Sequence, residues 1–157
     1  MFRHFPLFSI HPQAAKAGEA AECAGEQGAF WDMHDALFDA QGDWSGNPDA
    51  EATFKGMAGD LGLDQAQFDA CLDEGKYADK VIADYQEGTA QGVTGTPAFR
   101  INGAAMSGAQ PISAFQQQID YFLAGGEAPS LEVDADSYRS MGQADAPVVV
   151  TEFSDYQ

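Results

Sequence analysis

The feature that most constrains this chain is a change of period at Gln91. From His11 to Tyr85 the apolar residues recur at helical spacing. Beyond Gln91, Thr96-Pro97-Ala98-Phe99-Arg100-Ile101 reads as a strand, Asn102-Gly103 as a two-residue turn and Ala104 to Ser107 as the returning partner. Asn-Gly suits that turn because both of its central positions need positive φ. Aromatic residues alternate along Phe2 to Leu7, which predicts a strand closed by Pro6, and the β-branched run Val148 to Phe153 predicts another of the kind buried in a parallel or mixed sheet. Strands flanking a long helical middle place the chain in the α/β class.

The helical stretch divides at its turn formers. Pro12 suits a first turn, the Ala-rich run to Gln27 favours helix and Gly28 stops it; Phe30, Met33, Leu37 and Phe38 then make one apolar face. A polar connection, Gln41 to Asn47, leads to a helix capped by Asn47 and entered by Pro48, with Phe54, Met57, Ala58 and Leu61 inward and Gly62 as its end. Asp64 caps a short helix bearing Phe68, Cys71 and Leu72. After Gly75, Ala78, Val81, Ile82 and Tyr85 share the inward side of another. Gln110-Pro111 opens a last helix with Ile112, Phe115, Ile119 and Phe122 on one face, ended by Gly125-Gly126. Glu127 to Pro147 has turn formers and acids but no period, and reads as a linker or extended arm.

Charge narrows the partners. Lys and Arg number 7 against 25 Asp and Glu, a net charge of −18, which repels nucleic-acid backbones and anionic membranes. The acids are spread along the chain, as on a solvated surface that tolerates high salt. No apolar run approaches the roughly 20 residues of a membrane span, and the first residues lack the pattern of a secretory signal. His4, His11 and His34 have no ligand spacing, so no metal is expected, and the same holds for other cofactors. The three histidines are expected on the surface or partly packed. Phe30, Trp31 and Phe38 read as core residues. Cys23 and Cys71 are too far apart in sequence to form a Cys-x-x-Cys pair; two buried free thiols and one structural disulfide joining two helices both remain open.

Two motifs carry a family resemblance. Gly92-Val93-Thr94-Gly95-Thr96-Pro97-Ala98-Phe99-Arg100-Ile101-Asn102-Gly103 and Ala146-Pro147-Val148-Val149-Val150-Thr151-Glu152-Phe153-Ser154-Asp155-Tyr156 resemble the DsbA-like branch of the thioredoxin superfamily. Phe2 to Leu7 resembles that branch's second strand, and His11 to Tyr85 its inserted helical subdomain. The order departs from the family's: its first strand stands last here, and the Cys-x-x-Cys helix that should follow it is absent. The expected fold is thus thioredoxin-like with an inserted helical subdomain, in permuted or tandem-fragment order. Residues 1–126 would hold the second strand, helical subdomain, cis-Pro hairpin and terminal helix, 127–147 the linker, and 148–157 the first strand of a thioredoxin-like domain. About 20 linker residues span up to roughly 65 Å, so the last strand can fold back beside Phe2.

The resemblance implies that the Thr96–Pro97 bond is cis and that these two residues contact substrate, the backbone before the proline pairing with an extended segment. It also implies an oxidoreductase parent that exchanges dithiols and disulfides on exported proteins, extracytoplasmic in location, with extended polypeptides or thiol and disulfide compounds as substrates. No catalytic residue is assigned in this chain, which is expected to be inactive by itself. A redox-silent peptide-binding or scaffold module is a second expectation, and a glutathione-using isomerase or transferase a third. With one helix missing, the bared sheet is expected to promote self-association.

Overall fold

Four strands form one mixed sheet in the order β1-β4-β2-β3. In the computed structural model, which describes residues 1–127, 129 and 139–157, these are β1 (Phe2–His4), β2 (Ala98–Ile101), β3 (Ala104–Ser107) and β4 (Val150–Ser154). The helices are α1 (Ala14–Gly25), α2 (Phe30–Asp39), α3 (Gln41–Trp44), α4 (Ala50–Asp60), α5 (Gln65–Asp73), α6 (Ala78–Ala90) and α7 (Ile112–Leu123). Of the stretch expected to be a linker, residues 128 and 130–138 lie outside the described residues.

The strand latest in sequence lies inside the sheet. β4 runs parallel to β1, with Phe2 opposite Glu152 and His4 opposite Ser154, and antiparallel to β2, with Ala98 opposite Phe153 and Ile101 opposite Val150. The Asn102-Gly103 turn, with φ of 46° and 84°, closes the β2–β3 hairpin and also guides β4 into register. Asn102 Oδ1 accepts the Val149 N–H at 2.7 Å, its Nδ2 donates to the Pro147 carbonyl at 3.0 Å, and its backbone N–H reaches the Val149 carbonyl at 2.9 Å.

Alternation along the strands gives the sheet two faces. One carries Phe5, Ala98 and Phe153 against α6, where Gly88 leaves no room for a side chain: a Cβ there would lie 2.7 Å from the Phe5 ring and 3.0 Å from Phe153. The other carries Phe2 and His4 against α2, and Phe99 against Phe115 of α7.

The main core belongs to the helices, around Phe30, Met33, Leu37, Trp44, Phe54, Phe68 and Leu72, and takes in Phe2 and Tyr156 from the sheet. Each of these large side chains, once buried, contributes on the order of 2 kcal/mol of transfer free energy. α1 enters as a small-residue helix, its alanines letting neighbours approach closely, and a Cys23–Cys71 disulfide joins it to α5.

Three expectations change. The polar connection Gln41–Asn47 contains α3, whose Trp44 is fully buried with Nε1 donating to the Leu37 carbonyl at 2.9 Å; one apolar residue among Gly, Asp and Ser gives no period to read. On α6, Val81 faces inward, but Ile82 is exposed and Asp84 and Gly88 are buried instead, because Arg3 and Phe5 project from β1 onto that side. On α7 only Phe122 is buried, and Ile112 is 81% exposed.

Candidate functional site

The site residues gather at the end of β4 where β2 begins. The pairing of Ala98 with Phe153 carries the Thr96–Pro97 peptide, which is cis, to the level of Ser154 and Asp155. Thr96 and Pro97 are half-buried. The Pro97 carbonyl accepts the Gly108 N–H at 2.8 Å, which ties the start of β2 to the end of β3. Gly95 and Thr96 make no hydrogen bond among the described residues, so their backbone groups are available to an added chain.

Asp155 organises the opposite side. Its buried carboxylate accepts the Leu7 N–H at 2.7 Å, the Gln157 N–H at 3.0 Å and a hydrogen bond from His11 Nδ1 at 2.9 Å. The Gln157 side chain accepts the Gln13 N–H at 3.1 Å and donates to Ser45 at 2.7 Å, while Gln41 donates to the Tyr156 carbonyl at 2.7 Å. The strand end, the β1–α1 loop and α3 are thereby held as one unit. Tyr156 is 1% exposed, and its hydroxyl has no hydrogen-bond partner among the described residues. Burial, then the nearby charges of Glu22, Glu152 and Asp35, push that phenol well above its ordinary value.

A second titratable cluster lies between β1, α1 and α6. Glu22, fully buried, accepts from His4 Nε2 at 3.1 Å and from Arg139 at 2.7 Å, with Lys80 Nζ at 3.3 Å. Burial alone would raise the Glu22 carboxyl; the hydrogen bond from His4, the charges of His4 and Lys80 and the bond from Arg139 outweigh it and hold the group down to about 2. Asp84 pairs with Arg3 and, at 3.1 Å, with Lys80. Arg139 lies over the Phe30 ring at 5.4 Å, and its carbonyl accepts the Phe2 N–H at 2.8 Å. Its guanidinium fills the space a side chain on Gly25 would need.

His4 therefore departs from the expected surface or partly packed position: it is 2% exposed, with Nε2 bonded to buried Glu22. Of the expected aromatic core residues, Phe30 is buried, Trp31 partly so and Phe38 is 38% exposed.

The structure does not bring the cysteines to Thr96 and Pro97. Both are spent in the α1–α5 disulfide, and the chain has only these two. No group of His, Cys, Asp and Glu among the described residues could hold a metal ion. Neither Asp155–His11 nor the Glu22 cluster is visible in sequence, because their members lie 144 and up to 117 positions apart.

The chain is 36% identical over 143 residues to the Na(+)/H(+) antiporter NhaA 1 of Salinispora arenicola, covering 90% of this chain and 21% of that protein. The Na(+)/H(+) antiporter NhaA 3 of Salinispora tropica is 36% identical over 119 residues, 76% of this chain and 18% of its own length. The Na(+)/H(+) antiporter NhaA of Herminiimonas arsenicoxydans is 33% identical over 106 residues, 68% of this chain and 16% of its own. The chain thus spans about a fifth of the length of these relatives or less. No solved structure matches it. The model of the thioredoxin family matches residues 1–121, well over half of the chain and all of it from β1 into α7, and the chain belongs to that family.

Proposed function

We propose that this chain is the polypeptide-holding scaffold of a DsbA-like thiol:disulfide exchange domain, serving exported proteins in an extracytoplasmic setting, and that it is redox-silent by itself. The observation that carries the reading is the half-exposed Thr96–Pro97 segment beside the end of β4, where the backbone groups of Gly95 and Thr96 make no hydrogen bond among the described residues. An extended segment can add to such an edge by main-chain hydrogen bonds, its side chains falling on alternate sides. The chemistry of exchange needs a thiolate to attack a disulfide sulfur. Cys23 and Cys71, 1% and 4% exposed and bonded to each other, offer none.

The test pairs an insulin-reduction assay with amide mapping by NMR in the presence of an unfolded, alkylated polypeptide. The reading expects no turnover and shifts centred on Val93 to Ala98. Turnover abolished by thiol alkylation would make one of the two cysteines catalytic, and shifts confined to other surfaces would remove the substrate role of Thr96 and Pro97.

The relatives favour a second reading, in which the fold is an accessory module of a longer membrane polypeptide. They are named as antiporters, and the matched part is a minor share of each. This predicts that deleting the module from its parent changes sodium/proton exchange in vesicles; unchanged exchange would leave the first reading alone.

A further inference from the structure

The sheet ends in two edge strands, β1 and β3, and they are finished differently. Along β1 the outward N–H groups are taken: Phe2 donates to the Arg139 carbonyl at 2.8 Å and His4 to Asp84 Oδ2 at 3.2 Å. Along β3 they are not. Bonded and non-bonded pairs alternate in an antiparallel ladder, and the Gly108 N–H on the Pro97 carbonyl sets the phase. Phe99 therefore bonds with Met106, while Ala105 and Ser107 turn their backbone groups outward. Both residues are exposed, and neither N–H has a hydrogen bond among the described residues. The Ser107 carbonyl accepts from Gln110 Nε2 at 2.8 Å and keeps a second lone pair.

Charge, proline or a bulge commonly guards such an edge. Ala104-Ala105-Met106-Ser107 has no charge and no proline, and its register against β2 runs without a bulge. The neighbouring sequence is equally bare of acids: residues 88–119, which hold β2, β3 and much of α7, contain no Asp or Glu. Their one basic residue, Arg100, has its guanidinium on the Gln91 carbonyl.

We propose that β3 is the edge through which two copies of this chain pair, antiparallel about a two-fold axis at Met106, so that the sheet continues from one copy into the other. Three observations select a second copy as the occupant. The free groups are self-complementary, since Ala105 of each copy can exchange N–H···O bonds with Ser107 of the other. The side chains around the axis fit: Ala104, Ala105 and Ser107 are small, and half-buried Met106, a pliable side chain, meets its own copy. The charge pattern agrees as well. A cationic partner is drawn to the acidic surfaces and finds nothing at this edge, whereas another body of charge −18 meets least repulsion where acids are missing.

The inference concerns the edge opposite β1, leaves the sheet faces alone and does not rest on the role given to Thr96 and Pro97. Sedimentation of the full chain at about 0.01 to 1 mM tests it, a range suited to a contact as small as one strand pair. A monomer–dimer equilibrium is expected, tightening about fivefold or more between about 0.1 and 1 M NaCl as the acids are screened. Ala105→Asp sets like charges beside the axis and should weaken the dimer about tenfold or more. Ala105→Pro, tolerated where the N–H faces outward, should weaken it as much, whereas Ile82→Ser on the exposed side of α6 should not. Across a non-bonded pair the Cα atoms stand about 4.5 Å apart, within disulfide reach, so Met106→Cys should cross-link two copies on mild oxidation. Ser107→Cys, away from the axis, should do so far more slowly. A monomer at every concentration, a dimer that salt weakens, a dimer that Ala105→Asp leaves as strong or that Ile82→Ser weakens equally, or cross-linking of Ser107→Cys as fast as that of Met106→Cys would each overturn the proposal.

Discussion

α1 and α7 are both twelve residues long, and their surroundings differ sharply. α1 buries nine of its residues, two glutamates among them, between α2, α5, α6 and β1. α7 has the cleaner apolar stripe and buries Phe122 alone. The contrast separates two properties that a sequence pattern merges: periodicity says which side of a helix wants cover, and only the fold says whether cover exists. α1 is fixed by small residues, a disulfide and an ionic hub. Among the described residues, the ring contact that ties α7 to the sheet is Phe99–Phe115.

The contrast breaks most readily on the α1 side. Replacing both Cys23 and Cys71 by Ser removes a cross-link across 48 positions, and the chain-entropy estimate is a loss of about 4 kcal/mol in the unfolding free energy measured with urea. Should the loss stay below about 1 kcal/mol, the unfolded chain already holds these helices together.

Glu22→Gln should cost about 3 kcal/mol, because it strands the charges of Arg139 and Lys80 beside a buried position. The same group sets an acid dependence. Its folded value, about 2, lies below the ordinary 4.5, so its contribution is complete above about pH 4.5 and is lost as pH falls through that window toward 2. Urea midpoints measured across that range should decline in the wild type and decline less in Glu22→Gln.

Gly88→Ala forces a Cβ into the Phe5 and Phe153 rings and should cost about 2 kcal/mol, read from the same titrations. A neutral outcome would mean that the α6–sheet contact is as loose as that of α7. At the small end, Ile112→Ser or Leu123→Ser should change stability by less than about 0.5 kcal/mol, since both side chains are exposed. Hydrogen exchange sharpens the comparison further: amides of α7 should exchange well before those of α1.

The elements were legible where a local rule decides them. Asn102-Gly103 announced its hairpin, and Asp64 caps α5 by accepting the Gln67 N–H at 3.0 Å. Trp44, Asp84 and Gly88 were not legible, because their burial answers to Leu37, Arg3 and Phe5 from other elements. At the candidate site, Thr96 and Pro97 stood out as a motif, while Asp155 and His11 became a pair only once β4 lay beside β1. The pairing of Cys23 with Cys71 could be named but not chosen in advance, since thiols on two helices bond only if the packing brings their Cα atoms together, here to 5.9 Å.

The parallel pairing of β1 with β4 has a mechanical consequence. Met1 stands at the leading end of β1 and Gln157 at the trailing end of β4, so tension applied between them pulls the two strands lengthwise in opposite directions. The bonds that resist include Phe5 N–H to the Ser154 carbonyl and Glu152 N–H to the Met1 carbonyl, and they run across the direction of pull. They are loaded together in shear and cannot open one after another like a zipper, which makes this pair of strands a stiff tie between whatever is attached at its two ends.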